Sequence, residues 1–199
     1  MTVDGSSLVG FIGVALVAYL IPGPDWLMVM RGATDGAWNG VRTGVGTQGG
    51  LLVHGLLATV GVSALIAAAP AALVAIQVVG ALYLLYLGVS GIRSGAADDT
   101  VTHVGWRHAL VTNLTNPKVI VFFVAVAPQF VDSTRPVWPQ MLTLTVVDVA
   151  LGILWWSVLA AVLTPIVTRI GTRRITTAAS AALIAVAIGL LIYTAAEHV

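Results

Sequence analysis

Long apolar stretches alternate with short polar connections along the chain. Each stretch approaches the roughly 20 apolar residues that a helix needs to cross a bilayer. The pattern predicts six transmembrane helices, at 8–30, 45–69, 71–92, 109–131, 137–163 and 175–196. Pro70 marks a tight turn between the second and third helices, and residues 93–108 form the one extended polar linker. We therefore expect an all-α integral membrane protein in which residues 1–199 form a single transmembrane domain.

The composition fits a bilayer better than water. Of the 199 residues, 58% are hydrophobic and 9% are charged, whereas a soluble domain carries about 25% charged residues. The absence of cysteine excludes disulfides, thiolate nucleophiles and cysteine zinc sites. The net charge of +1 gives no indication about nucleic acid, and no basic cluster exists beyond Arg169, Arg173 and Arg174. The first basic residue is Arg31, so we expect the first apolar stretch to remain rather than to be cleaved as a signal peptide.

Basic residues are concentrated on one side of the predicted membrane. The connections after the first, third and fifth helices contain Arg31, Arg42, Arg93, Arg107, Lys118, Arg169, Arg173 and Arg174. The opposite side has only Arg135. Because short cytoplasmic loops carry the excess of Lys and Arg, we expect these three connections in the cytoplasm and both termini outside.

Two of the predicted helices are interrupted. The first contains Pro22, Gly23 and Pro24, followed by Asp25, and the fourth contains Asn116, Pro117 and Lys118 at its break. Asn is a good N-cap and Pro favours the first turn of a helix, so a new half-helix is expected after each break. Its free N–H groups and positive dipole end suit an anion such as a carboxylate. In lipid, such groups must face protein or a watery cavity.

The two breaks also suggest an internal repeat. Three helices, a linker (93–108) and three more helices divide the chain into repeats at about 8–92 and 109–196. An odd number of spans inverts the second repeat relative to the first. Pro24 and Pro117 take matching places, and His54 and Asp148 nearly do. Many transporters are inverted repeats whose interrupted helices enclose the substrate site, so we expect a broken first helix in each repeat.

Opposite charges follow the two breaks. Burying Asp25 or Lys118 alone costs about 2.5–3.5 kcal/mol, which pairing with each other or with a zwitterionic ligand would offset. An amino acid could place its ammonium on Asp25 and its carboxylate on Lys118 or the free N–H groups. Gln48 and Asn113 are further candidates for substrate binding. The structural alternatives are that Asp25 only caps its helix, Lys118 reaches the headgroups, and both amides only cross-link helices.

Titratable residues within spans are candidates for proton coupling. Asp148 is the only ionisable residue in its span, and such residues face bundle interiors or water paths by default. His54 is a second candidate because its free pKa is about 6.5. The alternatives are an interhelical hydrogen bond for Asp148 and a structural role for His54.

Two competing functions can be formulated. A metal or other small-ion transporter would need clustered His, Asp or Glu, of which the spans hold few. An intramembrane serine protease could use Ser90, but this chemistry requires a histidine base nearby, and His54 is the only histidine in a span. We therefore expect a transporter rather than an enzyme, with neither a cofactor nor a resident metal.

Four segments resemble the LysE/RhtB family of amino-acid exporters. They are PGPD at 22–25, GVRTGVGTQGGLLVH at 40–54, GALYLLYLGVSGIRSG at 80–95 and NLTNPKVIVFFVAVAPQFV at 113–131. The resemblance implies a six-span protein of the bacterial inner membrane that exports an amino acid or related metabolite, driven by the proton-motive force. Its implied partners are amino acid, protons and the bilayer, with a homo-oligomer left open. Many members have Asn where Trp26 stands; this Trp either offers a cation–π face or packs between helices.

Overall fold

The computed structural model describes residues 3–21, 23–93, 105–163 and 172–197. Eight α-helices lie in this part of the chain. They are α1 (Gly5–Leu20), α2 (Pro24–Thr34), α3 (Ala37–Ala68), α4 (Pro70–Arg93), α5 (Trp106–Leu114), α6 (Pro117–Val121), α7 (Val137–Val158) and α8 (Thr172–Glu197). Helix α6 continues as a π-helical turn, Phe122–Val126, and a 3-10 turn, Ala127–Phe130, while α7 continues as a π-helical turn, Leu159–Leu163.

The helices coincide with the predicted apolar stretches. Within the described residues, 37–65 and 137–162 are long and apolar enough to cross a membrane, and two bent pairs bring the number of candidate spans to four. Helices α4 and α8 occupy the remaining predicted stretches and pack against each other. The chain is thus an all-helical, multi-pass membrane protein, whereas six spans in two inverted repeats remain a prediction.

Both predicted breaks are present. Helices α1 and α2 meet at 62°, and α5 meets the segment Pro117–Phe130 at 54°. Gly23 and Asn116 are the N-caps after the breaks, and Pro24 and Pro117 begin the new helices, where a missing N–H costs nothing. Pro22 lies outside the described residues. The chain therefore changes direction twice at proline-initiated half-helices.

Helices α3 and α7 run antiparallel and approach closely through glycines. A Cβ at Gly55 would overlap Thr145, one at Gly44 would overlap Trp156, and one at Gly40 would lie 2.7 Å from the Cβ of Ala160. Small residues at a membrane helix interface allow such backbone approach. The side chains of α7 thus fit into hollows along α3.

A second glycine face of α3 receives α5. A Cβ at Gly46 would overlap the main chain of Trp106, and one at Gly50 would lie 2.7 Å from Oδ1 of Asn113. The GxxxG spacings at 40–44 and 46–50 therefore serve two different neighbours. Helix α3 is held on one side by α7 and on another by α5.

The second predicted helix begins earlier than its hydropathy indicates. Helix α3 starts at Ala37, eight residues before the expected start at Val45, because its polar first turns are stabilised by contacts with α2. The side chain of Asn39 donates to the carbonyl of Asp35 at 3.1 Å. Thr43 lies against Gly32, where a Cβ would be 2.5 Å from the Thr43 hydroxyl. Hydropathy does not detect this packing.

The α3–α5 contact generates a first prediction. Replacing Gly46 by Ala should destabilise the protein by about 1–3 kcal/mol, because the new methyl group would overpack against rigid main chain. Gly61→Ala on the same helix should change stability little, since nothing lies within 4 Å of its Cβ position. Denaturant or thermal unfolding of the detergent-purified variants measures both effects. Equal stabilities of the two variants would contradict this account of the interface.

Candidate functional site

The two breaks meet at a carboxylate. Asp25, in the first turn of α2, is 4% exposed. Its Oδ1 accepts a hydrogen bond from Nδ2 of Asn113 at 3.3 Å, and its Oδ2 accepts one from Nδ2 of Asn116 at 3.0 Å. We call these three residues the Asp25 clasp. It joins the break of the first half of the chain to the break of the second.

Asn116 has two functions in this arrangement. Its Oδ1 accepts from the main-chain N–H of Lys118 at 3.0 Å, which is the predicted N-cap, while its Nδ2 binds Asp25. The amide orientation is fixed because only its nitrogen can donate to the carboxylate. Gly23 is the N-cap of α2 and no side chain caps this helix, so the alternative that Asp25 only caps its helix is not what is found: both of its hydrogen-bonded side-chain partners belong to the other break.

The side chain of Lys118 turns toward the first break. Its Nζ donates to the carbonyl of Ala18, in the last turn of α1, at 3.4 Å. A Cβ at Gly23 would lie 3.8 Å from this nitrogen. The ammonium is close enough to Asp25 and Asp148 to interact electrostatically with both. The direction of the Lys118 side chain and its contacts therefore differ from the alternative in which Lys118 extends to the lipid headgroups.

A second cluster of polar side chains lies around Asp148. Asp148 belongs to α7 and is 2% exposed. The hydroxyl of Tyr19 lies 3.1 Å from the main-chain carbonyl oxygen of Asp148 and 3.4 Å from Oε1 of Gln48. Its single proton is shared between these acceptors. A Cβ at Gly152 would overlap both Gln48 and Tyr19, so this glycine makes room for their approach to α7.

These groups line one central cavity of about 40 Å³. Its polar lining consists of Tyr19, Asp25, Thr47, Gln48, Asn113, Lys118 and Asp148. Its apolar lining consists of Val14, Ala15, Val17, Ala18, Leu51, Leu84, Val119, Phe122, Trp156 and Val186. The volume holds about three water molecules, because one water needs roughly 10–15 Å³. A larger solute requires the cavity to widen.

Three buried polar atoms of these lining residues have no protein partner. They are Nε2 of Gln48, Oδ1 of Asn113 and Nε1 of Trp156. Buried polar atoms in native proteins are nearly always hydrogen-bonded to protein, water or ligand. Two donors and one acceptor thus remain available among residues that line the cavity.

The predicted site residues differ in their position relative to the central cavity. Asp25, Gln48, Asn113, Lys118 and Asp148 all line the cavity. Gly23, Pro24, Asn116 and Pro117 build the helix starts beside it. Their predicted roles in substrate binding and proton coupling rest on this placement and remain proposals.

His54 lies elsewhere. It lines a different, apolar groove between α3 and the fourth predicted span, and its Nε2 is 3.3 Å from the carbonyl oxygen of Asn113. This contact agrees with the structural role that was the alternative for His54. It connects His54 to the Asp25 clasp through the main chain of Asn113. A direct role for His54 in proton coupling remains a prediction, and His54 does not line the central cavity.

Trp26 packs beside the break and does not line the cavity. It is 4% exposed, and its Nε1 donates to the carbonyl of Tyr19 at 2.6 Å. Its ring centroid lies 6.0 Å from that of Trp155. This tryptophan satisfies a main-chain carbonyl that the interrupted α1 leaves open, which agrees with the packing interpretation.

The described residues give little support to a metal site or to a serine-protease site. Among the described residues, no three His, Cys, Asp or Glu side chains are grouped as a metal would require. Ser90 lies in the last turns of α4, whereas His54 lies in the middle of α3. Neither residue lines the central cavity.

The sequence pattern did not identify Tyr19, Thr47 or Trp156 as site residues, although all three line the cavity. The ring of Tyr19 packs edge-on against that of Trp156, with centroids 5.6 Å apart. Tyr19 could have been found as an aromatic hydroxyl shortly before a proline break. Thr47 and Trp156 carry no such signal, because Thr and Trp are also common in ordinary membrane helices.

Broken helices that meet at a polar cavity between apolar spans are typical of many membrane transporters. The family model of the LysE type translocators matches residues 16–194. The chain belongs to this family, and it is a transporter rather than an enzyme.

Several curated proteins are similar to the chain. An uncharacterized membrane protein of Vibrio cholerae is 37% identical over 145 residues, which cover 69% of this chain and 71% of that protein. A leucine efflux protein of Salmonella typhimurium is 35% identical over 131 residues, covering 61% and 62%. An uncharacterized membrane protein of Pseudomonas aeruginosa is 36% identical over 134 residues, with the same coverage. No solved structure matches significantly.

The clasp generates a second prediction. Asn116→Asp keeps the oxygen that caps α6 but replaces the donor to Asp25 by a second carboxylate. We expect a loss of about 1–3 kcal/mol of stability, because a buried charged acceptor loses its partner. The Asp25→Asn/Asn116→Asp double variant should recover part of it by exchanging carboxylate and amide.

Unfolding of the two single variants and the double variant forms a double-mutant cycle that isolates the interaction. Asn39→Asp is the matched control, since the Asn39 amide donates only to the exposed carbonyl of Asp35. Strictly additive effects of the two substitutions at the clasp would show that the hydrogen bond contributes nothing.

Proposed function

We propose that this protein exports a neutral amino acid with an aliphatic side chain from the cytoplasm, in exchange for protons. Membership of the LysE type translocators and the similarity to leucine efflux proteins support amino-acid export. The observation that carries the proposal is one cavity in which residues of two broken helices combine both charge signs with an apolar wall.

The substrate class follows from the lining of the cavity. Lys118 and the half-helix starts suit the carboxylate of an amino acid, and the carboxylates of Asp25 and Asp148 suit its ammonium. Among the residues whose side chains the structure describes, α4 and α8 contribute Leu84 and Val186 to the lining, and both are apolar. A zwitterionic head with an aliphatic side chain matches this division, whereas a basic side chain would meet apolar wall.

The clasp suggests how binding is linked to movement. An ammonium that approaches Asp25 competes with the amides of Asn113 and Asn116, which now hold both carboxylate oxygens. Substrate binding therefore loosens the connection between the two breaks. In an inverted repeat, this permits one half to rock against the other, opening the cavity to alternate sides.

The orientation of the protein in the membrane is inferred from the distribution of charge, whereas the direction of transport rests on the family alone. We place the connections that contain Arg31, Arg42 and Arg107 in the cytoplasm and both termini outside, because Lys and Arg are retained on the cytoplasmic side. In this orientation, α2 and α5 lie on the cytoplasmic side of the clasp. The proposed location is the inner membrane of a bacterial cell.

Asp148 is the proposed proton carrier. It is the buried carboxylate of the cavity that lies outside the clasp, and Lys118 is its nearby cation. Protonation from the outside would remove one of the two negative charges of the cavity and so weaken its attraction for the substrate ammonium. Return of the proton to the cytoplasm then resets the carrier.

The coupling role generates a third prediction. In proteoliposomes, Asp148→Asn should reduce leucine efflux driven by a pH gradient at least about tenfold. Exchange of internal for external leucine, measured at saturating leucine, should continue, because it moves no net protons and Asp25 still holds the substrate ammonium. Asp132→Asn, outside the cavity in the connection before α7, is the matched control and should behave as wild type. Undiminished gradient-driven efflux in Asp148→Asn would remove this residue from coupling.

The apolar wall generates a fourth prediction. Leu84→Phe should narrow the side of the cavity that receives the side chain, and should reduce leucine transport more than alanine transport. Leu82→Phe lies on the same helix with Leu82 50% exposed, so it should change neither. Competition of each amino acid with labelled leucine measures the ratio. An equal loss for both amino acids would place the side chain elsewhere.

A further inference from the structure

A groove of about 500 Å³ opens between α3 and α5 and shares no lining residue with the central cavity. Its lining residues are Trp38, Val41, Arg42, Val45, Gly46, Gly49, Trp106 and Leu110. Val45 is 51% exposed, so the groove faces the surroundings of the protein rather than its interior. It has an apolar body and an arginine at its rim.

Two glycines form the floor of the groove. Gly46 brings the main chain of α5 against α3, as described above. Gly49 is different, because a Cβ there would meet only the terminal Cδ1 of Leu110, at 3.3 Å. A larger side chain at residue 49 would therefore stand in the groove without separating the helices.

The rim combines aromatic and cationic side chains. Trp38 is 70% exposed and Trp106 is 44% exposed. The guanidinium of Arg107 lies 5.4 Å from the centroid of the Trp106 ring, and Arg42 lines the groove one turn from Trp38. Tryptophan is enriched at the level of lipid headgroups, and arginine binds phosphate through its planar donors.

Neither arginine is neutralised by a neighbouring carboxylate in the part of the structure that is described. The ion pair within 4 Å found there joins Arg135 to Asp132, on a different connection. Arg42 therefore presents a positive charge to whatever occupies the groove, and Arg107 adds a second charge beside it, on the ring of Trp106. The complementary partner is an anion with an apolar tail.

The length of the groove fits one leaflet. Trp38 and Gly49 are separated by about 16 Å along α3 at 1.5 Å per residue, roughly half of the ~30 Å hydrocarbon thickness. We propose that the groove binds one anionic phospholipid, with an acyl chain over Gly46 and Gly49 and the phosphate at Arg42 and Arg107. Basic sites between membrane helices on the cytoplasmic side bind anionic lipids in this way.

The test is native mass spectrometry of the full-length protein in detergent, titrated with phosphatidylglycerol or with phosphatidylcholine of the same chains. Wild type should bind phosphatidylglycerol more tightly. Arg42→Gln and Arg107→Gln should each weaken it about fivefold, since a basic residue near an anionic surface contributes about 1 kcal/mol. Gly49→Leu should weaken binding of both lipids.

Gly61→Leu is the matched control, because Gly61 lies on the same helix and lines an apolar groove without arginine. It should leave phosphatidylglycerol binding unchanged. Melting temperatures without added lipid verify that each variant is folded, and Arg42→Lys should retain most of the affinity if charge is what matters. Equal affinities for the two lipids, or full affinity in the Arg42→Gln/Arg107→Gln double variant, would overturn the proposal. Displacement by soluble glycerol phosphate would also overturn it, because the site would then bind a phosphate anion alone.

Discussion

The structure depends on satisfying one buried carboxylate where two helices are broken. A charge at this depth costs about 2.5–3.5 kcal/mol when it has no partner, and free main-chain groups in lipid add to that cost. Asn113 and Asn116 meet the carboxylate oxygens of Asp25, Asn116 caps α6, and Trp26 meets a carbonyl left open by α1. The carboxylate at the first break thus has its hydrogen-bond donors at the second break. Neither half of the chain could bury its break alone at so small a cost, so the clasp connects folding to the formation of the cavity.

Glycine provides the second constraint, because it sets where helices can approach. Gly40, Gly44 and Gly55 place α7 against α3, and Gly46 and Gly50 place α5 against it. Gly152 admits Tyr19 and Gln48 to the surface of α7. The polar residues of the cavity are therefore positioned by the absence of side chains around them. Helix α3 contacts α7 and α5 through its glycines and therefore lies at the centre of their packing.

Much of this arrangement could be predicted from the sequence. The apolar stretches gave the helices, and the two proline motifs gave the breaks, because both signals are local. The GxxxG spacings at 40–44 and 46–50 are local as well, and such spacings are typical of close helix contacts. The identity of the neighbours, the early start of α3 and the position of His54 away from the cavity all depend on which helices meet. Periodicity does not encode that information. The hydrogen-bond partners of Asp25 could likewise not be deduced from spacing. The sequence suggested pairing with Lys118 or with a zwitterionic ligand, whereas the hydrogen bonds come from Asn113 and Asn116.

The small size of the cavity also determines what the protein does between transport events. A space of about 40 Å³ holds about three water molecules, too few for an unbroken file of water from one side of the bilayer to the other. Protons and ions need such a file to cross by themselves. A membrane could thus contain many copies of the protein in this conformation without dissipating the electrochemical gradient across it.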